Sequence, residues 1–221
     1  MAERLDLPTS GLDDLAAANM PKGTIVPRIA CIGWGSLCWD PRELPITGGW
    51  RNDGPFVRVE FLRRSKDGRI TLVLDESAVP VPALWTLLNV ADVKAATLTL
   101  QAREGIPLKN IDSDIGVWTA GGKAPPLIEA LPKWAEEREL DAVVWTNLPR
   151  KFHPSGRRAE VEEIIDYLQR LTGPKRDAAE QYVRKAPAQI STAYRAIIAA
   201  ALGWTPLTTG DQRREPSRRS G

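Results

Sequence analysis

The chain has 221 residues, 43% hydrophobic and 26% charged, which suits a globular protein with room for one substantial core. Lys and Arg number 30 against 28 Asp and Glu, a net charge of +2, which argues neither for nor against a nucleic-acid partner; only the basic tail could favour one, and none is expected. No apolar run nears the roughly 18 residues of a membrane span, and two cysteines beside a single histidine argue against both a disulfide framework and a structural zinc site.

Residues 1–27 read as a peripheral segment. They hold acids and no apolar core of a secretory signal, so a cytoplasmic location is expected. Ser10-Gly11-Leu12-Asp13 can cap a short helix through Ala18, before Pro21, Gly23 and Pro27 interrupt the chain. Ile29 to Ile32 is apolar at every position, as in a strand covered on both faces. Leu44-Pro45-Ile46 and Gly48-Gly49 read as irregular. The stretch Trp50 to Leu62 reads as a strand, with Phe56, Val57, Val59 and Phe61 as its apolar set. Lys66-Asp67-Gly68 is a hairpin turn into a partner strand, Ile70 to Leu74. Val81 to Leu88 is a third apolar run, with Pro82 confined to its start.

Asp92 can cap a helix running to Glu104, with Val93, Ala96 and Leu100, and also Ala95, Leu98 and Ala102, at helical spacing; Gly105 is its stop signal. Asp114 to Ala120 reads as a strand before the Gly121-Gly122 turn. Pro125 to Glu139 reads as a helix that Pro132 kinks or splits. Ala142 to Leu148 is a strand. Helices follow over Glu160 to Leu171, Asp177 to Lys185 and Gln189 to Leu202, punctuated by Gly173-Pro174, Pro187 and Gly203. Strands crowd the first half and helices the second, the pattern of an α+β domain over residues 28–204. From Thr205 the chain is poor in apolar residues and rich in arginine, and reads as a disordered basic tail over 205–221 whose only use for phosphate would be its charge.

The stretch that organises the rest is Ile29 to Pro41. Its strand stops at Gly33-Trp34-Gly35-Ser36-Leu37. Glycines let backbone N–H groups approach a ligand closely, and successive N–H groups in a turn form a concavity for an anion or a carbonyl oxygen. Ser36 adds a hydroxyl there. Asp40-Pro41 reads as a turn former.

Trp34-Gly35-Ser36-Leu37-Cys38-Trp39-Asp40-Pro41 resembles the opening motif of the γ-glutamylcyclotransferase superfamily, a strand running into Y-G-S-L, followed in its ChaC-like branch by x-W-x-P. Tryptophan stands here where the family has tyrosine, so the aromatic bulk is kept and the hydroxyl is lost. Gly49-Trp50-Arg51-Asn52 loosely matches a second family element, Gly-aromatic-x-Arg. Leu100-Gln101-Ala102-Arg103-Glu104 has the form of the segment that carries the family's catalytic glutamate. Without the resemblance, Glu104 would read as a solvated glutamate at a helix C-terminus, a mildly unfavourable place for negative charge. The resemblance implies a small mixed β-barrel with flanking helices and here a helical C-terminal extension. It also implies Glu104 as the catalytic group, and a substrate held by Gly33, Trp34, Gly35, Ser36, Leu37, Arg103 and Arg51.

The implied reaction is the cyclisation of a γ-glutamyl compound to 5-oxoproline with release of an amine, amino acid or peptide. The substrate's own α-amine is the nucleophile, so effective molarity is high and no cofactor is needed. One carboxylate can take a proton from the ammonium and return it to the departing amine, while fixed N–H donors hold the oxyanion. Two other readings stand beside this one. The scaffold could be a non-catalytic module that binds a small molecule or partner. Cys31 or Cys38 with His153 could form a thiol acyltransferase, although nothing brings the histidine near them and an activated thiol needs a nearby base. Tyr182 and Tyr194 read as packing residues of the C-terminal helices, and the eight tryptophans as mostly core.

Overall fold

The structure, a computed structural model, describes residues 26–207. Strand β1 (Ile29–Gly33) is buried along its whole length, and its position explains why. It lies between β6 (Leu84–Leu88), which runs antiparallel to it, and β9 (Ala142–Thr146), which runs parallel. With β2 (Ile46–Arg51) and β7 (Ile115–Thr119) at the edges, the sheet order is β2-β6-β1-β9-β7. Successive side chains of a strand point to opposite faces. Ile29 and Cys31 therefore meet Leu100 of helix α1 (Val93–Glu104), while Ala30 and Ile32 join a second, larger cluster on the other face.

That larger cluster is shared with a second sheet. Its centre is β3 (Phe56–Arg64), which pairs with β4 (Ile70–Leu74) through residues 59–64, and with β5 (Pro80–Pro82) and β8 (Ile128–Glu129) through residues 56–58. Among the described strands no pairing closes either sheet into a barrel. Two short helices, α2 (Ile111–Asp114) and α3 (Leu131–Glu136), precede β7 and β9 respectively. Three more complete the α+β fold: α4 (Val161–Gln169), α5 (Gly173–Lys185), which packs on β4, and α6 (Ala193–Leu202), which packs on β3 and α4. Buried polar groups need partners, and two pin these helices down. Glu60 accepts from Thr192 Oγ1 at 2.5 Å and from the Tyr194 amide at 3.1 Å, holding the start of α6. Asp75 accepts from Arg150 at 2.9 Å and Arg158 at 3.0 Å. No helix among the described residues is long and apolar enough to cross a membrane.

Several expected elements take a different form. The Trp50 to Leu62 stretch is two strands, because Gly54 turns the chain so tightly against the Ala83 carbonyl that a Cβ there would collide with it. Phe56, placed in the apolar set, is half exposed. The irregular Ile46 to Gly49 segment is β2: pairing with β6 draws it into the sheet, and Gly48 and Gly49 sit in its register shift with φ of 75° and 78°. Val81 to Leu88 divides at Ala83 between the two sheets. Pro125 to Glu139 holds only α3, and Pro132 lies in its first turn, where a missing N–H costs nothing, rather than kinking a longer helix. Thr192, not Gln189, begins α6, its hydroxyl accepting from the Arg195 amide. Gly173 and Pro174 open α5. On α1 only Ala96, Leu100 and Arg103 are buried; Leu98 and Ala102 face outward. The helix expected from Ser10 to Ala18 and the tail from residue 208 onward lie outside the described residues.

Candidate active site

β1 ends at Gly33 because the chain must pass under two aromatic side chains. A Cβ on Gly33 would sit 3.0 Å from Trp50 Cη2 and 3.2 Å from Cys38 Sγ. A Cβ on Gly35 would collide with the hydroxyl of Tyr182 on α5. With φ at −127°, Gly35 is required by that close approach and not by a left-handed backbone. The chain then makes a single 3-10 turn over Ser36–Cys38. The amides of Cys38, Trp39 and Asp40 donate within the turn. Those of Gly35, Ser36 and Leu37 donate to no acceptor among the described residues.

Helix α1 delivers the acid. Asp92 caps it by accepting from the Ala95 amide at 2.7 Å, and Gly105 ends it with φ of 64°. Its buried stripe, Ala96, Leu100 and Arg103, continues the helical period, so an arginine is carried into the interior. Arg103 is held there by its fork of donors. Nε reaches the Asp40 carbonyl at 3.1 Å, Nη2 reaches the same carbonyl, Nη1 and Nη2 reach Ser36 Oγ at 3.5 and 3.4 Å, and Nη1 meets Glu104 Oε1 at 2.5 Å. One guanidinium thus ties Glu104 to the glycine loop. The Glu104 side chain is only 16% exposed, which removes the reading of it as a solvated surface glutamate.

Loop and acid face one cleft of about 680 Å³, ample for a glutamyl group with something attached. Gly33 to Leu37 form one wall and Glu104 to Pro107 another. The β3–β4 hairpin contributes Arg63, Lys66 and Arg69, the segment after β9 contributes Lys151, and α5 contributes Tyr182. Tyr182 is fixed by edge contacts to Trp39 and Phe61. Its hydroxyl accepts weakly from the Leu72 amide at 3.4 Å and donates to nothing among the described residues. Burial pushes its phenol well above the usual value, so it keeps its proton at neutral pH.

Of the residues singled out in the sequence, Gly33, Trp34, Gly35, Ser36, Leu37 and Glu104 line this cleft together. Arg103 lies behind it, its donors taken up by the loop and the acid. Arg51 is elsewhere, 4.4 Å above the Trp85 ring in a separate hollow. Its neighbour Trp50 explains the segment's place near the motif, since it packs on Gly33 from behind. Tyr194 bonds the Ala159 carbonyl and Arg158, as a packing residue. The thiol reading fails on geometry. Cys31 is fully buried, burial pushes both thiols far above their usual value, and His153 lies against Arg157 and Glu163. Sequence reasoning set Tyr182 aside and passed over Arg63 and Lys151. Tyr182 shares a buried helical stripe with Ala179 and Val183, and a phenol on such a stripe needs a polar partner, which was the available signal. Among the described residues no group of three or more His, Cys, Asp and Glu is arranged to hold a metal ion. No protein-family model matches the chain, and no curated protein matches it either.

Proposed function

We propose that the chain is a cytoplasmic γ-glutamylcyclotransferase-like enzyme, in which the two packed sheets correspond to the family's small mixed β-barrel. The observation that carries the reading is the meeting of Glu104 with the free amides of the glycine loop across one cleft. The γ-glutamyl group lies between them. Its α-ammonium gives a proton to Glu104, and the freed amine attacks the γ-carbonyl carbon. A C–N bond forms, closing a five-membered ring, and the negative charge passes to the carbonyl oxygen. Amides of Gly35, Ser36 and Leu37, with the Tyr182 O–H, are fixed donors for that oxygen or for the α-carboxylate. The oxygen's charge then collapses, the bond to the departing amine breaks, and Glu104 returns the proton to it; Glu104 then takes the second proton from the ring nitrogen and passes it to the released amine, which leaves as an ammonium. 5-Oxoproline and a free amine result, with no change of oxidation state and no co-reactant. Arg103 is a positioning residue, holding Glu104 and Ser36 in one register.

The test is release of 5-oxoproline from γ-glutamyl compounds. Glu104→Gln keeps the shape and removes the proton carrier, and is expected to lower kcat by about 10²- to 10⁴-fold. Equal turnover by variant and wild type removes Glu104 from the mechanism.

A further inference from the structure

The cleft is lined by the cations Arg63, Lys66, Arg69 and Lys151 and by the carboxylates Asp67, Glu104 and Asp114. Arg63 and Lys151 are paired as neighbours in a parallel bridge between β3 and the segment after β9, and both line the cleft. Like charges set opposite one another across strands destabilise the pairing. Neither has an acidic partner to offset this. Arg63 Nη1 donates to the Pro149 carbonyl at 2.8 Å, a neutral acceptor, and no carboxylate among the described residues makes an ion pair with Arg63 or Lys151. Arg69, by contrast, is matched by Asp67 at 2.7 Å. Glu104 and Asp114 act on Arg63 only through space, and burial pushes its guanidinium below the usual value. Two adjacent cations, one half-buried, are thus left to line the same cleft as the glycine loop and Glu104.

We propose that Arg63 and Lys151 form a subsite for a carboxylate on the departing half of the substrate, so that the chain acts on γ-glutamyl amino acids or peptides with a free carboxylate in preference to γ-glutamyl amines. This rests on the cyclotransferase reading for the reaction, but not for the binding. A guanidinium and an ammonium side by side supply a forked and a point donor to one anion. The glutamyl end then meets the loop and Glu104, and the far carboxylate fixes the scissile bond between them.

The experiment compares γ-glutamyl-alanine with γ-glutamyl-alaninamide, which differ in one charge and little in shape. Wild-type kcat/KM is expected to favour the acid by at least about tenfold, the usual worth of a hydrogen bond to a charged group. The same pair is titrated calorimetrically into the Glu104→Gln protein, where binding is read without turnover, and tighter binding of the acid is expected. Lys151→Gln, a change at an exposed side chain, should shrink the gap severalfold, and Arg63→Gln should do so independently. Equal binding of acid and amide, a gap that neither substitution narrows, or binding of neither compound overturns the subsite. Charge-dependent binding that both substitutions weaken, with no 5-oxoproline from either compound, sustains the subsite while ending the cyclotransferase reading.

Discussion

Two hollows on this molecule are lined by arginines, and they treat charge in opposite ways. In the one beside Trp85, the positive groups are answered by the protein itself. Arg138 bonds Asp53 at 2.8 Å and lies 4.9 Å over Trp134, Asp53 also accepts from Trp85 Nε1 at 2.7 Å, and Arg28 reaches the carbonyls of Arg138 and Glu139. Arg51 is stacked on Trp85. In the cleft beside the glycine loop, three backbone amides, a phenol proton and a lysine lack such answers, and Arg63 has the Pro149 carbonyl but no carboxylate. A group whose partners lie inside the fold stabilises the fold. A buried donor left without one costs free energy, of the order of 1–3 kcal/mol for a neutral group, which a group bound in the cleft would offset.

The comparison can be broken most forcefully at Arg103, which belongs to both categories. It is as buried as a core residue and its donors are satisfied, yet one of its partners is the acid of the cleft. Arg103→Gln leaves Glu104 and the Asp40 carbonyl without their cation. Breaking a buried pair from one side costs about 3–5 kcal/mol, so a large fall in the urea midpoint is expected together with loss of turnover. Arg103→Lys keeps the charge but not the fork and should recover stability more than activity. A stable, fully active Arg103→Gln protein would show that the tie between acid and loop is idle.

A smaller effect is expected where Gly35 meets Tyr182. Gly35→Ala forces the phenol aside, an overpacking cost of about 1–3 kcal/mol. Tyr182→Phe removes the oxygen that is struck, so the double variant should be more stable than the sum of the two single changes predicts. A double-mutant cycle by chemical denaturation measures this coupling. Tyr182→Phe alone should fold normally and turn over more slowly. Strict additivity would place the phenol away from Gly35.

The smallest effect belongs to the other hollow. Hydrogen bonds from Arg138 and Trp85 hold the Asp53 carboxyl below its usual range. A depressed folded value means stability that is present above the unfolded value of about 3.9 and lost as pH falls through the folded one. Asp53→Asn should therefore flatten the acid limb of the stability profile below about pH 4. The Asp53 side chain is more than half exposed, so the loss at neutral pH should stay within about 1 kcal/mol. Asp53→Asn and Arg51→Ala should leave kcat/KM within about twofold of wild type. A large loss of activity in either would merge the two hollows into one site.

Local patterns in the chain carried much of this. Four consecutive apolar residues from Ile29 were enough for a strand covered on both faces, because no partly exposed strand tolerates that run. Asp92 and Gly105 bounded α1 without reference to anything else, since capping is a matter of neighbouring atoms. The order of glycine loop and Arg103-Glu104 was likewise legible. Which strands would pair was not. Gly48-Gly49 looks irregular until β6 lies alongside, and Val81 to Leu88 looks like one strand until two sheets compete for its halves. Arg51 and Arg63 are alike as letters; only the folded chain sets one over Trp85 and the other beside Lys151. Tyr182 reaches Gly35 from helix α5 although 147 positions separate Gly35 from Tyr182 in the sequence (182 minus 35). The sequence by itself determined the elements whose causes are local: caps, turns and runs of apolar side chains. Tertiary structure alone decided which charges find partners, because that depends on distances between segments that no local pattern encodes.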